Sequence, residues 1–132
     1  MLSKAVLASA DVSRLLSAAR EEALAKGWRV SVAIVDDGGH LLAMERLDGC
    51  APIASYIAIE KARSAALGRR DTKGYEDMVN GGRTAFVTAP LVTSLEGGKP
   101  VLVDGQVVGA VGVSGVLAEQ DAQVAAAGIA AL

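Results

Sequence analysis

The chain is poor in the side chains that stack, ligate metals or cross-link. Aromatics make up 3% of its 132 residues (one Trp, two Tyr, one Phe), too few for a surface that stacks the bases of a nucleic acid. Lys and Arg number 13 against 15 Asp and Glu, a net charge of −2, so no basic field points to nucleic acid or an anionic membrane. A single cysteine cannot close an internal disulfide, which suits a reducing, cytoplasmic setting. With one histidine and that one cysteine there is no zinc-ligand spacing, and no metal site is expected. Mean hydropathy is +0.37, yet no apolar run nears the ~20 residues of a membrane span. Met1–Ser9 carries one Lys and no apolar run of signal-peptide length, so no targeting segment is expected.

What the chain does have is Ala, Val, Leu and 15 Gly, in a length expected to form one domain, 1–132. So many small apolar residues in a short chain imply that some apolar surface is buried between subunits, hence a homo-oligomer, dimer or higher.

Asp104-Gly105 is a preferred two-residue hairpin turn, because both central residues need positive φ. The arm after it, Gln106–Ser114, is apolar on both alternating faces: Val107, Gly109, Val111 and Val113 on one, Val108, Ala110 and Gly112 on the other. Such a strand is covered by a layer on each side, and this hairpin is read as the centre of the sheet. Gly109 and Gly112 mark close approach of a helix, a backbone or a ligand.

In chain order, Ser9 is read as the N-cap of a helix whose apolar face is Val12, Leu15, Leu16, Ala19 and Ala23, closed by Gly27. Val30–Val35 and His40–Leu47 form a hairpin around Asp36-Asp37-Gly38-Gly39. Pro52 opens a helix running to about Leu67, with Gly68 as its stop. A short helix spans Tyr75–Val79, and Phe86–Val92, interrupted by Pro90, reads as an edge strand or loop. Glu119–Ala131 is the last helix, acidic in its first turn. Helix, hairpin, helix, short helix, hairpin, helix gives an α/β (α+β) fold: a three-layer α/β/α profilin-like domain with a central antiparallel sheet.

Few residues could carry chemistry. His40, after a Gly-Gly turn, is either a solvated strand start or an acid/base. Cys50 precedes a helix N-terminus that could lower its thiol pKa, or it packs at a strand–helix corner; His40 is the only base available to it. Lys61 could bury its stem mid-helix and emerge into a cleft. Arg69 and Arg70 could clamp a carboxylate or phosphate, or satisfy the helix's terminal carbonyls. Arg46 and Asp48 flank a strand end and could pair with each other. Gly97-Gly98 is no phosphate loop, since it leads through Pro100 into a strand and lacks the GKS/T ending. Gly109-x-x-Gly112 lies within a strand and is no dinucleotide fingerprint.

Four segments carry a family resemblance: Asp36-Asp37-Gly38-Gly39-His40-Leu41, Glu45-Arg46-Leu47-Asp48-Gly49, Glu60-Lys61-Ala62-Arg63-Ser64-Ala65, and Gly97-Gly98-x-Pro100 through Asp104-Gly105 to Ser114-Gly115. In order and spacing these resemble the GlcG/HbpS family, also called the haem-degrading or PduO C-terminal-like domain family. The resemblance implies a profilin-like domain that assembles into dimers and larger rings or cages, some of whose members bind haem or respond to redox state and iron. Haem is therefore the one cofactor it suggests. Histidines that serve haem or iron in some relatives lie in segments where this chain has none, and Cys50 stands where Ala or Ser is expected.

A shared small-molecule site is placed where the strand end, the Pro52–Leu67 helix and the Gly97-Gly98 loop converge. Arg46, Asp48, Arg70, Gly97, Gly98 and Pro100 would bind the ligand, beside Lys61 and completed by a neighbouring subunit. Three readings follow: a protein binding haem or a related planar ligand near the Gly97-Gly98 loop; a cofactor-independent enzyme acting on a small carboxylate or carbonyl compound, with Lys61 or His40 as acid/base and Arg70 holding the anion; or a non-catalytic accessory or assembly subunit.

Overall fold

The computed structural model describes residues 1–132, every residue of the chain. Its elements are α1 (Ser9–Lys26), β1 (Ser31–Asp36), β2 (Leu41–Arg46), α2 (Ile53–Gly68), α3 (Lys73–Asn80), a 3₁₀ turn (Thr84–Thr88), β3 (Gly98–Val103), β4 (Gln106–Ser114) and α4 (Ala118–Ala130). The four strands form one antiparallel sheet in the order β2-β1-β4-β3. The Asp104-Gly105 turn has the positive φ angles its sequence demands, 51° and 76°. Only one arm of that hairpin is central, however: β4 lies between β1 and β3, whereas β3 is an edge.

The two faces of the sheet are built from different side chains. On one, Val32, Ile34, Val111 and Val113 meet Val12, Leu15, Ala19 and Ala23 of α1 and Val124 and Ala125 of α4. Val108 joins this cluster, because β4 carries a bulge against β3 between the partners Gly109 and Val107 and does not keep strict alternation there. On the other face Ala33, Val35 and Ala110 meet Ala58, Ala62, Ala65 and Ala66 of α2.

An interface of alanines brings a helix backbone down onto a sheet backbone. A Cβ on Gly112 would run into the carbonyl of Ala58 and lie 2.5 Å from the amide nitrogen of Ala62. Of the three partners open to Gly112, a helix is the one present. Gly109 is pressed by the carbonyl of Val35, 2.5 Å from where its Cβ would be, and by the Leu7 side chain of the segment before α1.

Several local boundaries differ from expectation. Ser9 is the first residue of α1; Ala8 caps it, its N–H donating to the Asp11 carboxylate at 2.8 Å. Gly68 is the last residue of α2 and the left-handed cap is Arg69, φ 57°. Gly68 is needed for another reason: the ring of Tyr75 lies where its side chain would be. Phe86–Val92 forms no strand. Phe86 sits in the 3₁₀ turn and its ring stacks on Tyr75 at 5.3 Å between centroids, a contact worth more to it than an unpaired edge.

Gly112→Ala is expected to lower unfolding free energy by about 3 kcal/mol, because the helix must lift off the sheet to admit one methyl group. Urea unfolding at pH 7 measures it.

Candidate functional site

Lys61 does not emerge into a cleft. It is on the face of α2 that meets the sheet, and its side chain is 4% exposed. Its Nζ donates to the carboxylate of Asp121 at 3.0 Å and to the carbonyl of Val113 at 2.9 Å. Asp121, at the start of α4, also accepts the Val116 N–H at 3.2 Å. Burial pushes the Asp121 carboxyl above its ordinary pKa, and the Lys61 ammonium and the amides of Val116 and Gly115 offset only part of that push. The pair ties α2, the end of β4 and α4 together from inside.

Gly97 and Gly98 close over this pair. With φ at +132°, Gly97 passes so near that a Cβ would lie 2.8 Å from Lys61 Nζ and 2.7 Å from the Val113 carbonyl. Gly98 presses on the Lys61 backbone carbonyl and lies 2.8 Å, by the same measure, from the Thr72 methyl. Its N–H donates to Thr72 Oγ1 at 2.9 Å, and its carbonyl accepts the Thr72 N–H at 3.0 Å. Both glycines are buried.

The other named residues are dispersed. His40 is exposed at the β1–β2 turn, its Nδ1 3.1 Å from Asp36. Burial opposes the Asp36 carboxylate, but the His40 and Gly38 amides and the His40 ring outweigh it and hold its pKa below the ordinary value. Cys50 is buried at the other end of the same hairpin, its Sγ 3.6 Å from Ser31 Oγ, so the only histidine is remote from the only thiol. Arg70 lies over the Tyr75 ring, 4.7 Å from its centroid. Arg69 takes the carbonyl-satisfying role, donating to Ala66 at 2.9 Å. Pro100 is half-buried on the edge strand opposite Ala110. Arg46 and Asp48 share a groove but form no ion pair.

Three grooves bear on ligand binding. The one just before the Gly97-Gly98 loop, about 360 Å³, is lined by Val79, Asn80, Val87, Val92, Ser94 and Leu95 together with Glu76. It offers no His, Cys, Met, Tyr, Lys or Arg, so it lacks both an axial ligand for a haem iron and a cation for propionates. The second, about 560 Å³, lies between edge strand β2 and α2, with Met44, Arg46, Pro52, Ser55, Tyr56 and Ile59 as walls. It contains a thioether and a phenol, groups of the kind that can ligate a haem iron, with an apolar bed and a guanidinium. Tyr56 is 71% exposed and Met44 38%, and Ile53 of α2 and Leu41 and Leu42 of β2 are exposed as well. The third groove, beside Trp28, also reaches Arg46.

Of the residues lining the second groove, the sequence singles out Arg46 and not Met44 or Tyr56. The available signals were the alternation that puts Met44 and Arg46 on one face of β2, and the Ile53, Tyr56, Arg63, Leu67 stripe on the side of α2 away from its alanines.

The family model of haem-degrading, HbpS-like proteins matches residues 7–130. Protein GlcG of Escherichia coli (strain K12) is 66% identical over 114 residues, 86% of this chain and 85% of that protein. Two solved structures share the fold at moderate identity. A double mutant of Streptomyces reticuli HbpS has a TM-score of 0.89 at 32% identity, covering 100% of this chain and 90% of the other. A PduOC:haem complex has a TM-score of 0.87 at 30% identity, covering 97% and 96%.

Removing Lys61 leaves a buried carboxylate alone. Lys61→Met is expected to cost about 3–5 kcal/mol near neutral pH. The folded-state pKa of Asp121 already lies above its unfolded value, so its neutral form favours the fold and the cost of ionising it grows as pH rises. Without Lys61 that pKa rises further. The gap to the parent protein should therefore narrow on acidification towards pH 4, and Lys61→Met combined with Asp121→Leu should recover most of the loss. Chemical denaturation at the two pH values measures both.

Proposed function

The chain belongs to the HbpS-like, haem-degrading protein family, and on that premise we propose that it binds haem or a closely related planar ligand in the groove between β2 and α2. The observation that supports this most is the donor set of that groove: Met44 and Tyr56 on facing elements, Arg46 at its end, and exposed Ile53 and Leu42 beside it. Met44 or Tyr56 would hold the iron, Arg46 would pair with a propionate, and Ile59 and Pro52 would bed the ring. Haem bound there would supply a redox-active iron centre. The related structure that contains haem supports the ligand class.

The groove is open on its outer side, and the exposed apolar residues favour a second copy of the chain as its cover. The protein is then a homo-oligomer whose ligand is enclosed by two subunits. An acid/base enzyme draws less support, since Lys61 is buried in an ion pair with Asp121 and His40 is exposed to solvent beside Asp36.

Hemin titration is expected to give a saturable, shifted Soret band. Met44→Ala combined with Tyr56→Phe should abolish the shift or change its position, while His40→Ala and Cys50→Ala should leave it. No shift in the parent protein overturns the reading, and a shift indifferent to the double variant overturns the placement. Light scattering is expected to show a dimer or higher; a monomer would contradict the second-copy cover.

A further inference from the structure

The groove on the opposite side of the β2 terminus from Tyr56 has a different chemistry. About 510 Å³ in volume, it is bounded by Leu24 and Gly27 at the end of α1, by Trp28 and Arg29, and by Glu45 to Asp48 of β2 and its exit. Trp28 is half-buried: its amide is fixed to the Ala23 carbonyl at 2.9 Å and its side chain packs against the α1–α4 core, so the indole is a rigid wall. Arg29 is seated by the next turn. Gly49 has φ +82°, and a Cβ there would lie 2.8 Å from Arg29 Cδ and 3.2 Å from Nη1, so the bare backbone of Gly49 is where the guanidinium stem rests.

The charges in this groove are unequally satisfied. Arg20 is occupied by Glu45 at 3.3 Å. Arg29 and Arg46 have neither an ion-pair partner nor a side-chain hydrogen bond within the protein. Three arginines thus line the groove against two carboxylates, Glu45 and the rim residue Asp48, in a chain whose overall charge is negative. Two unpaired planar forks beside a fixed aromatic wall are the pattern that recognises a carboxylate carried on an apolar body.

We infer that this groove binds a small organic carboxylate, its carboxylate group held by Arg29 and Arg46 and its carbon skeleton lying against Trp28 and Leu24. This site is separate from the haem groove, although Arg46 touches both, and does not depend on haem binding there. Asp48 at the rim opposes a second negative charge, which favours a monocarboxylate with an apolar body over a polyanion.

Trp28 is the only tryptophan, so its emission reports on the groove directly. Benzoate is the probe, benzamide its neutral isostere and inorganic phosphate an anion without an apolar body. Benzoate is expected to change the emission saturably, benzamide and phosphate not. Arg29→Gln and Arg46→Gln should each weaken benzoate roughly tenfold, and Asp48→Asn should tighten it. All three residues are exposed, so melting temperatures should stay at the parent value. Arg29→Gln should leave the hemin Soret band unchanged, and Met44→Ala should leave the benzoate titration unchanged, so the two sites fail separately. No saturable response to benzoate, an equal response to benzamide or phosphate, or full benzoate affinity in Arg29→Gln overturns the inference.

Discussion

The backbone of α2 rests on the backbone of the sheet, and most of what distinguishes this molecule depends on that contact. Alanines 58, 62, 65 and 66 meet Ala33, Ala110 and Gly112, with Val35 the one larger apolar side chain of the cluster. Small residues bury little apolar area each, so this layer is held by close packing and dispersion more than by transfer of large side chains from water. The Val- and Leu-rich side toward α1 and α4 supplies the conventional core. The close approach also leaves the outer flank of α2 low beside edge strand β2. Residues there that would otherwise be covered, Ile53, Tyr56 and Met44 among them, stay open.

The same contact accounts for Lys61. A lysine on a helix face that touches a sheet must either be excluded or find a partner for its charge inside. Here Asp121 and the Val113 carbonyl provide it, and the two glycines of the loop before β3 make the room. A buried pair of this kind adds little net stability over an apolar replacement, but it penalises any arrangement in which α4 or β4 is misplaced. We therefore read it as a device of register and not of catalysis.

How much was legible in the sequence follows from this division. Period and turn chemistry revealed every helix and strand present, because helix stops such as Gly27, the Gly38-Gly39 turn and Asp104-Gly105 are local signals. For Phe86–Val92 the sequence left edge strand and loop both open, and the choice lies with a tertiary contact, the stacking of Phe86 on Tyr75, which no local pattern encodes. The candidate site was read less well. Gly97, Gly98, Pro100, Arg70 and Lys61 were grouped by their nearness along a resemblance, while in three dimensions each serves packing, stacking or an internal ion pair. Arg46, a charge at a strand end, does line two of the grooves. That Met44, Tyr56 and Arg29 line open grooves is not legible locally, because openness depends on which faces the neighbouring layers leave uncovered.

The placement of Pro100 has a further consequence. The sheet ends in β2 on one side and β3 on the other, and β3 carries a residue without an N–H in its middle. A fifth strand cannot pair continuously there. β2, Leu41 to Arg46, has no proline, although a bulge at Leu42 breaks its register with β1, and its outer amides and carbonyls from Ala43 to Arg46 are free beside the exposed leucines. Chain-to-chain strand pairing, whether productive or as aggregation of overexpressed protein, is thereby directed to the β2 edge, where an introduced proline would block both.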